Sequence, residues 1–291
     1  MSVIPGGLSQ AARRSLWAGR IFQGFLYLSL AIGFVTLGAL LLQVISEGYK
    51  WVDLVLFFEP PSTEPLIAGA RPAILATIYL GILLILFTVP LGVGTAIYLE
   101  EYANRERWYN RLLEVNIQNL AAVPSIVYGI LGLAFLVRGI GLGRVLLAGA
   151  MILTLLVLPT VIIAAREAIR AVPASIRQGA YALGATKWQV VWRQVLPAAT
   201  PGIATGSILA LSRGLGETAP LLLVGALTYV AFDPTVLGEF TALPVQIYQW
   251  IARPQDEFRT LAAAAIIVLL VILMTLNAFA IWLRNHYERR W

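Results

Sequence analysis

The chain has 291 residues, of which 59% are hydrophobic and 12% charged, and its mean hydropathy is +0.81. Soluble domains carry about 25% charged residues, so this composition predicts an integral membrane protein. The absence of cysteine and the presence of a single histidine exclude disulfides, thiolate metal sites and sites built from several histidines. The net charge of +6 is spread between apolar stretches without interleaved aromatic clusters, which argues against binding to nucleic acid.

Six apolar stretches are each long enough to cross a bilayer core, which needs about 20 residues in a helix. They predict an all-α protein with six transmembrane spans, at residues 21–45, 73–99, 115–137, 145–165, 201–225 and 260–283. The first stretch is longer than a signal-peptide core and lacks a small-residue cleavage site, so it is interpreted as an uncleaved anchor. Residues 1–20 and 284–291 then form short terminal segments on either side of one transmembrane domain, residues 21–283.

The basic residues between the spans predict the orientation of the chain. Fourteen Lys and Arg residues lie on the side that holds both termini, the 2–3 connection and the 4–5 connection, and six lie on the opposite side. Because cytoplasmic connections are enriched in Lys and Arg, we expect both termini and the 4–5 connection to be cytoplasmic. The remaining basic residue, Arg213, lies inside the fifth predicted span.

Two full charges stand four residues apart in the apolar stretch LALSRGLGETAPLLL, at Arg213 and Glu217. Near the middle of a span each charge costs about 2.5–3.5 kcal/mol, although this spacing places both side chains on one helix face, where they partly neutralise each other. One interpretation is a salt bridge that only fixes helix packing. The other is an anion pathway, because a guanidinium offers a planar set of donors to an oxyanion. Glu217 would then either accept a hydrogen bond from a protonated oxyanion or hold Arg213 until substrate arrives.

The rest of this span indicates that it is surrounded by protein. Small residues recur at every fourth position, at Gly202, Gly206, Ala210, Gly214 and Thr218. Such a stripe allows a second helix to approach closely in a membrane. Pro220 removes one backbone hydrogen bond and leaves the Gly216 carbonyl free, which is tolerated only where protein or water compensates. We therefore expect a buried, locally irregular span beside a water-lined cavity.

The connection at residues 166–200 is long without being strongly polar. Its apolar residues recur at helical spacing on both sides of Gly184, and Pro197 and Pro201 follow them. This pattern predicts two short amphipathic helices with a glycine corner, ended by the prolines. The helix pair could rest on lipid headgroups or dock onto a protein partner, and the pattern by itself favours neither.

The same connection resembles the EAA loop of ABC-importer permeases, because Gly184 is followed after eleven residues by Leu196 and Pro197. It departs from that motif at Gln178, Gly179 and Gln194. The resemblance implies that the loop docks into a groove on a cytoplasmic ATPase. The residues expected at this contact are Ala182, Leu183, Gly184, Ala185, Thr186, Lys187 and Trp188.

Four segments together resemble the PstA family of phosphate-transport permeases: NLAAVPSIVYGILGL, REAIRAVPASIRQGAYALGATKWQVV, ALSRGLGETAPLLLVGA and ALPVQIYQW. The resemblance implies a type I ABC-importer permease fold and one half of the translocation pathway of a phosphate importer in a prokaryotic cell membrane. It also implies a substrate pathway that includes Ser212, Arg213, Glu217 and Thr218. Permeases for sulfate or molybdate share the EAA loop, so another oxyanion stays open, as does an anion carrier that works without an ATPase.

The chain lacks a nucleotide-binding loop of its own, since neither of its lysines, Lys50 and Lys187, lies in a G-x4-G-K-[ST] motif. We therefore expect a transporter subunit rather than an enzyme, without a cofactor in this chain. The resemblance implies three protein partners: a PstC-like second permease, a PstB-like cytoplasmic ATPase dimer that binds ATP and Mg, and a PstS-like extracytoplasmic phosphate-binding protein.

Overall fold

The computed structural model describes residues 10–104, 106–226 and 230–287, and every regular element within these ranges is helical. The α-helices are α1 (Gln10–Gly48), α2 (Leu54–Phe58), α3 (Arg71–Ile97), α4 (Trp108–Ala121), α5 (Ser125–Gly132), α6 (Leu146–Arg170), α7 (Ala174–Ala182), α8 (Lys187–Val190), α9 (Leu196–Leu215), α10 (Ala219–Val224), α11 (Leu243–Ile251) and α12 (Asp256–Tyr287). Helical segments of π type follow α3, α5 and α8, at Tyr98–Tyr102, Leu133–Gly139 and Val191–Val195. Three arginines of the orientation count lie outside the described residues: Arg105, Arg289 and Arg290. So do two parts of the predicted terminal segments, residues 1–9 and 288–291.

Residues 1–47 and residues 48–291 form two separate compact units. In the first unit, α1 is a single helix that lacks an internal proline. Its apolar part has the length and hydropathy of a membrane span. The second unit contains the helices that build the candidate site.

Five helical segments of the described chain are long and apolar enough to cross a membrane: Gly19–Trp51, Arg71–Tyr102, Leu146–Arg170, Lys187–Leu215 and Asp256–Trp282. A bent pair, Trp108–Ala121 with Ser125–Gly139, makes a sixth if it counts as one span. The predicted all-α membrane fold with six spans is consistent with this arrangement. The cytoplasmic location of both termini stays a prediction.

The third span differs from the straight helix predicted at residues 115–137. The two helices of the bent pair meet at an angle of 105°, at a short break that ends with Pro124. Proline disfavours the helical conformation of the residue before it, and Pro124 itself has an extended ψ of 138°. The apolar composition continues across this break, so hydropathy alone gave no sign of the bend.

The fifth span also differs from its prediction at residues 201–225. Helix α9 ends at Leu215, and α10 begins at Ala219. Pro220 is at the start of α10, where a missing N–H is tolerated, so the expected free carbonyl within a continuous helix is wrong. Arg213 consequently lies in the last turn of α9 rather than at the middle of a span.

The glycines of the predicted small-residue stripe pack directly against another helix, α6, whereas Thr218, its last residue, lies beyond the end of α9. A Cβ atom added at Gly206 would lie 2.3 Å from the Ala164 Cβ, and one added at Gly214 would lie 2.6 Å from the Val157 Cγ2. Such distances are too short for real Cβ contacts, so only glycine permits this approach. The α6–α9 seam consists of three glycines and the residues they face: Gly202, Gly206 and Gly214 with Ala168, Ala164 and Val157.

A large apolar core lies where α3, α6 and α9 meet. Leu80 and Leu84 of α3, Leu153 of α6, and Leu211 and Leu215 of α9 are buried together there. Helix α9 is therefore held by glycine contacts to α6 and by leucine contacts to α3. This fixes the rotation of α9 about its own axis, and with it the direction in which Arg213 points.

Two glycine-to-alanine changes test the seam, with opposite expected effects. Gly206→Ala inserts a methyl group into a filled contact and should destabilise the protein by roughly 1–3 kcal/mol. Gly94→Ala in α3 is the matched control, because nothing lies within 4 Å of the added methyl, and alanine is favoured over glycine in a helix by roughly 0.5–1 kcal/mol. Thermal unfolding midpoints of the two purified variants in detergent measure the difference. Equal midpoints would contradict the tight α6–α9 contact.

Candidate functional site

Arg213 keeps most of its surface accessible, with 69% of the side chain exposed in the single chain. Its Nε lies 3.7 Å from the Glu217 Oε1, beyond the range of about 2.7–3.2 Å for N–H···O hydrogen bonds. The neighbouring Gly214 is buried against α6, so the seam itself turns residue 213 outward. The guanidinium is thus open to a ligand rather than locked against its carboxylate neighbour.

A groove beside Arg213 is built from three parts of the fold: the end of α4 with the bend after it, the middle of α6, and the last turns of α9. This Arg213 groove is narrow, with a cavity volume of about 10 Å³ in the single chain, and it is lined by Leu120, Ala121, Val123, Leu156, Val157, Thr160, Ala210 and Arg213. Apart from Arg213 and Thr160, the lining side chains are apolar. Arg213 is mostly exposed in the single chain, so a lower local dielectric constant would strengthen its attraction for an anion only where water is excluded from the groove.

Glu217 and Thr218 lie in the linker between α9 and α10. The Glu217 side chain is 21% exposed, and its backbone N–H donates to the Gly214 carbonyl at 3.2 Å, which closes the last turn of α9. Thr218 immediately precedes α10, and its carbonyl accepts from the Leu222 N–H at 3.0 Å. The break in the helix therefore keeps the predicted carboxylate and hydroxyl next to the end of α9 that carries Arg213.

Ser212 lies on a different face of α9 from Arg213. Its hydroxyl is hydrogen-bonded to the Asn277 Oδ1 of α12, and both side chains line an apolar cleft between α3, α9 and α12. Successive residues of an α-helix point about 100° apart, so the neighbour of a groove residue need not share the groove. Of the four predicted pathway residues, the structure brings Arg213 and Glu217 together, places Thr218 beside them, and turns Ser212 towards α12.

The glycine corner of the 4–5 connection is present. Helix α7 ends at Ala182, Gly184 has a φ of +80°, and α8 begins at Lys187. Thr186 and Gln189 form a reciprocal capping box at the start of α8. Leu183 and Trp188, with exposed fractions of 90% and 60%, present apolar surface at this corner.

The limits of the connection differ from the predicted residues 166–200. Residues 166–170 belong to α6, and the helix that starts at Lys187 continues into α9 without a break. Pro197 and Pro201 therefore do not end the second helix. The π-helical segment directly before α9 is the kind of local adjustment that allows proline within a membrane helix.

Sequence reasoning missed a group of ion pairs beside this connection. Arg166 is only 7% exposed and contacts both Glu100 and Glu114, while Arg177 of α7 contacts Glu101 at 2.9 Å. The partners of Arg166 are 66 and 52 residues away along the chain. The sequence held one indication of these pairs. Two consecutive glutamates end the second span, and arginines end the fourth span. If the two helix ends lay side by side, these opposite charges could pair.

Residues 89–291 match the family model described as the binding-protein-dependent transport system inner membrane component. The chain belongs to this family. Its relatives include the phosphate transport system permease protein PstA 1 of Mycobacterium tuberculosis strain H37Rv, which is 30% identical over 91% of this chain and 87% of that protein. The phosphate transport system permease protein PstA of Yersinia pestis is 33% identical over 83% of this chain and 81% of that protein. These relatives confirm the resemblance to the PstA family.

Solved structures of ABC transporters share the fold. A bacterial alginate ABC transporter in complex with an alginate pentasaccharide-bound periplasmic protein has a TM-score of 0.66 at 17% identity, covering 95% of this chain and 96% of that one. The inward-facing MetNI methionine ABC transporter has a TM-score of 0.60 at 18% identity, covering 76% and 95%. The expected type I permease fold is confirmed. With the family, it makes this chain a multi-pass permease subunit of an ABC importer rather than an enzyme.

Cysteine labelling tests which of two neighbouring residues faces water. The chain has no native cysteine, so Arg213→Cys and Ser212→Cys each introduce a single thiol. We expect a water-soluble thiol reagent to label position 213 at least about tenfold faster than position 212, because residue 212 is turned towards Asn277 and thiol reactivity follows exposure. Equal rates in the intact protein would contradict the assignment of the two helix faces.

Proposed function

We propose that this chain is the permease subunit of an ATP-driven importer of inorganic phosphate, and that Arg213 contacts the anion as it crosses. The observation that carries the proposal is an accessible guanidinium, held only at 3.7 Å from Glu217, in a groove with apolar walls. The names of the PstA relatives, which match most of the chain, support phosphate as the substrate.

A salt bridge that only fixes helix packing fits this site poorly. Arg213 and Glu217 are four residues apart on one segment of chain, so their contact joins no second helix to α9. The packing of α9 is supplied by the seam and by the leucine core. The cost of placing a guanidinium near apolar surface therefore needs another explanation, and anion recognition provides one.

The chemistry of the pair favours a protonated oxyanion. The planar guanidinium can donate two parallel hydrogen bonds to one anion. A carboxylate nearby accepts a hydrogen bond from an oxyanion that carries a proton and repels one that does not, and a site built on such a bond rejects analogues that lack the hydrogen. Hydrogen phosphate carries that proton at neutral pH and sulfate does not. Glu217 would thus favour phosphate over sulfate.

The partners follow from the same proposal. A PstC-like permease would complete the translocation pathway on the open side of the Arg213 groove. A PstB-like ATPase dimer would bind the segment Ala182–Trp188, where Leu183 and Trp188 are exposed. A PstS-like protein would deliver phosphate from outside, by analogy with the periplasmic protein that is bound to the alginate transporter. The family description supports a bacterial inner membrane, and the Lys and Arg distribution supports a cytoplasmic position for the loop.

The transport cycle we infer is a shift between two arrangements of the permease pair. Closure of the ATPases on ATP would move the loop corner, and the long helix from Lys187 to Leu215 would carry that movement to Arg213. Phosphate would be released when hydrolysis restores the inward-facing arrangement. A single guanidinium from this chain, with few other donors in the groove, suits a site that must bind and then release its ligand.

Replacing Arg213 tests the substrate site. In the assembled transporter in proteoliposomes, Arg213→Ala should reduce phosphate uptake by at least about tenfold, the effect of losing one charge-assisted contact of roughly 1.5–3 kcal/mol. Arg259→Ala is the matched control, because that arginine is 62% exposed and also lies beside a carboxylate close to it in the chain, that of Asp256. Unlabelled phosphate, but not sulfate, should compete with labelled phosphate in the wild type. Normal uptake by Arg213→Ala, or loss of assembly instead of uptake, would contradict the role of Arg213.

Replacing Gly184 tests the coupling loop. A Cβ at Gly184 or at Gly179 meets nothing within 4 Å, but only Gly184 has a positive φ. Gly184→Ala should therefore strain the corner by roughly 1–2 kcal/mol, weaken retention of the ATPase subunit in mild detergent and lower the phosphate transported per ATP. Gly179→Ala should leave both unchanged. Phosphate transport by the chain in the absence of any ATPase would favour the carrier alternative.

A further inference from the structure

Arg166 joins three helical elements at the end of the bundle that carries the coupling loop. It lies in α6, its Nε donates to the Glu100 Oε1 at 2.8 Å, and its Nη2 donates to the Glu114 Oε1. Glu100 belongs to the π-helical segment after α3, and Glu114 belongs to α4. One buried guanidinium therefore links the ends of α3 and α6 to the outer helix α4.

Two of the three side chains in this linkage are buried. The exposed fractions are 9% for the Arg166 side chain and 4% for Glu100, against 34% for Glu114. Separating a buried ion pair leaves each charge without compensation in a medium that solvates it poorly. The Arg166–Glu100 pair is therefore expected to stay together during a conformational change, with Glu114 bonded to Arg166 on the accessible side of the pair.

Helix α4 extends from this ion cluster to the Arg213 groove. Glu114 and Ala121 are two turns apart on one helix, about 10 Å at 1.5 Å per residue. The far end of α4 and the bend that follows supply Leu120, Ala121 and Val123 to the groove wall. A displacement of Glu114 would therefore displace the wall that faces Arg213.

Helix α7, which leads into the coupling loop and is called the coupling helix here, is bonded to the residue next to this cluster. Arg177 of α7 donates to the Glu101 Oε1 at 2.9 Å and to the backbone carbonyls of Ile169 and Val172 at 2.9 and 2.6 Å. Glu101 follows Glu100 directly in the chain. A movement of α7 therefore acts on Glu101, the residue next to the carboxylate that Arg166 binds.

We propose that Arg166 is a positioning residue for transport: through Glu114 it holds α4 so that movement of the coupling helix shifts the Leu120–Val123 wall of the groove relative to Arg213. This inference rests on the proposed function. Arg166 does not contact substrate. Its effect should appear in the coupling of hydrolysis to uptake, with little effect on phosphate affinity.

The test uses the assembled transporter in proteoliposomes, with labelled phosphate uptake and ATP hydrolysis measured together. Glu114→Gln removes the charge and keeps the size of the side chain, and we expect phosphate transported per ATP to fall about fivefold or more while the KM for phosphate changes less than about twofold. Arg166→Gln should give the same defect, and Arg166→Lys should restore part of it. Arg259→Gln is the control and should leave the ratio unchanged, because Arg259 is 62% exposed and pairs with Asp256 of α12, outside this cluster.

The double variant Arg166→Gln with Glu114→Gln decides whether the two residues act through one another. If they do, the double variant should be no worse than the more severe single variant. Two independent defects that multiply, or a wild-type transport ratio in Glu114→Gln, would overturn the inference. Should Arg166→Gln fail to assemble, Glu114→Gln alone decides, since its side chain is partly exposed.

If the wild-type transporter moves no phosphate, the proposed function fails. If it does move phosphate and these variants couple hydrolysis to uptake normally, only this inference fails.

Discussion

The contact between α6 and α9 is the constraint on which the candidate site depends. Gly202, Gly206 and Gly214 bring the backbone of α9 against α6, and these close contacts hold α9 in one rotation about its axis. In that rotation Gly214 faces Val157, and the residue before it projects away from the seam. A lipid-embedded chain has little hydrophobic driving force between helices, so close backbone contact of this kind is what fixes the direction of Arg213.

Two interruptions of regular helix lie close to this arginine, and the short helices that follow them pack against each other. One separates α9 from α10, and the other separates α4 from α5. A Cβ at Gly129 of α5 would lie 2.8 Å from the Cα of Pro220 in α10, so these short helices are in direct backbone contact. Irregular backbone at membrane depth is tolerated where protein or a water-filled cavity surrounds it. The position of both breaks beside the Arg213 groove agrees with a conduit at that point.

Sequence alone predicted the features that depend on local patterns. Apolar stretch lengths predicted six spans, and the described chain has five candidates with a bent pair as a possible sixth. The small-residue spacing predicted a close helix contact, and Gly184 predicted the loop corner. The bend at Pro124 escaped because the residues around it are apolar, and the early end of α9 at Leu215 escaped because the whole stretch to residue 225 is long enough for one span. Pro197 was misjudged because the π-helical segment before it accommodates a proline within the continuous helix. The ion pairs of Arg166 escaped for another reason: they join residues far apart in the chain, and only the packing of helices brings them together.

The most direct measurement of the central claim is an electron cryomicroscopy map of the assembled transporter with phosphate bound inside the membrane. The account predicts density for the anion within hydrogen-bonding distance, about 3 Å, of the Arg213 guanidinium, in the groove between α4, α6 and α9. An Arg213 that faces lipid, or one that is bonded to Glu217 while phosphate follows another route, would contradict it.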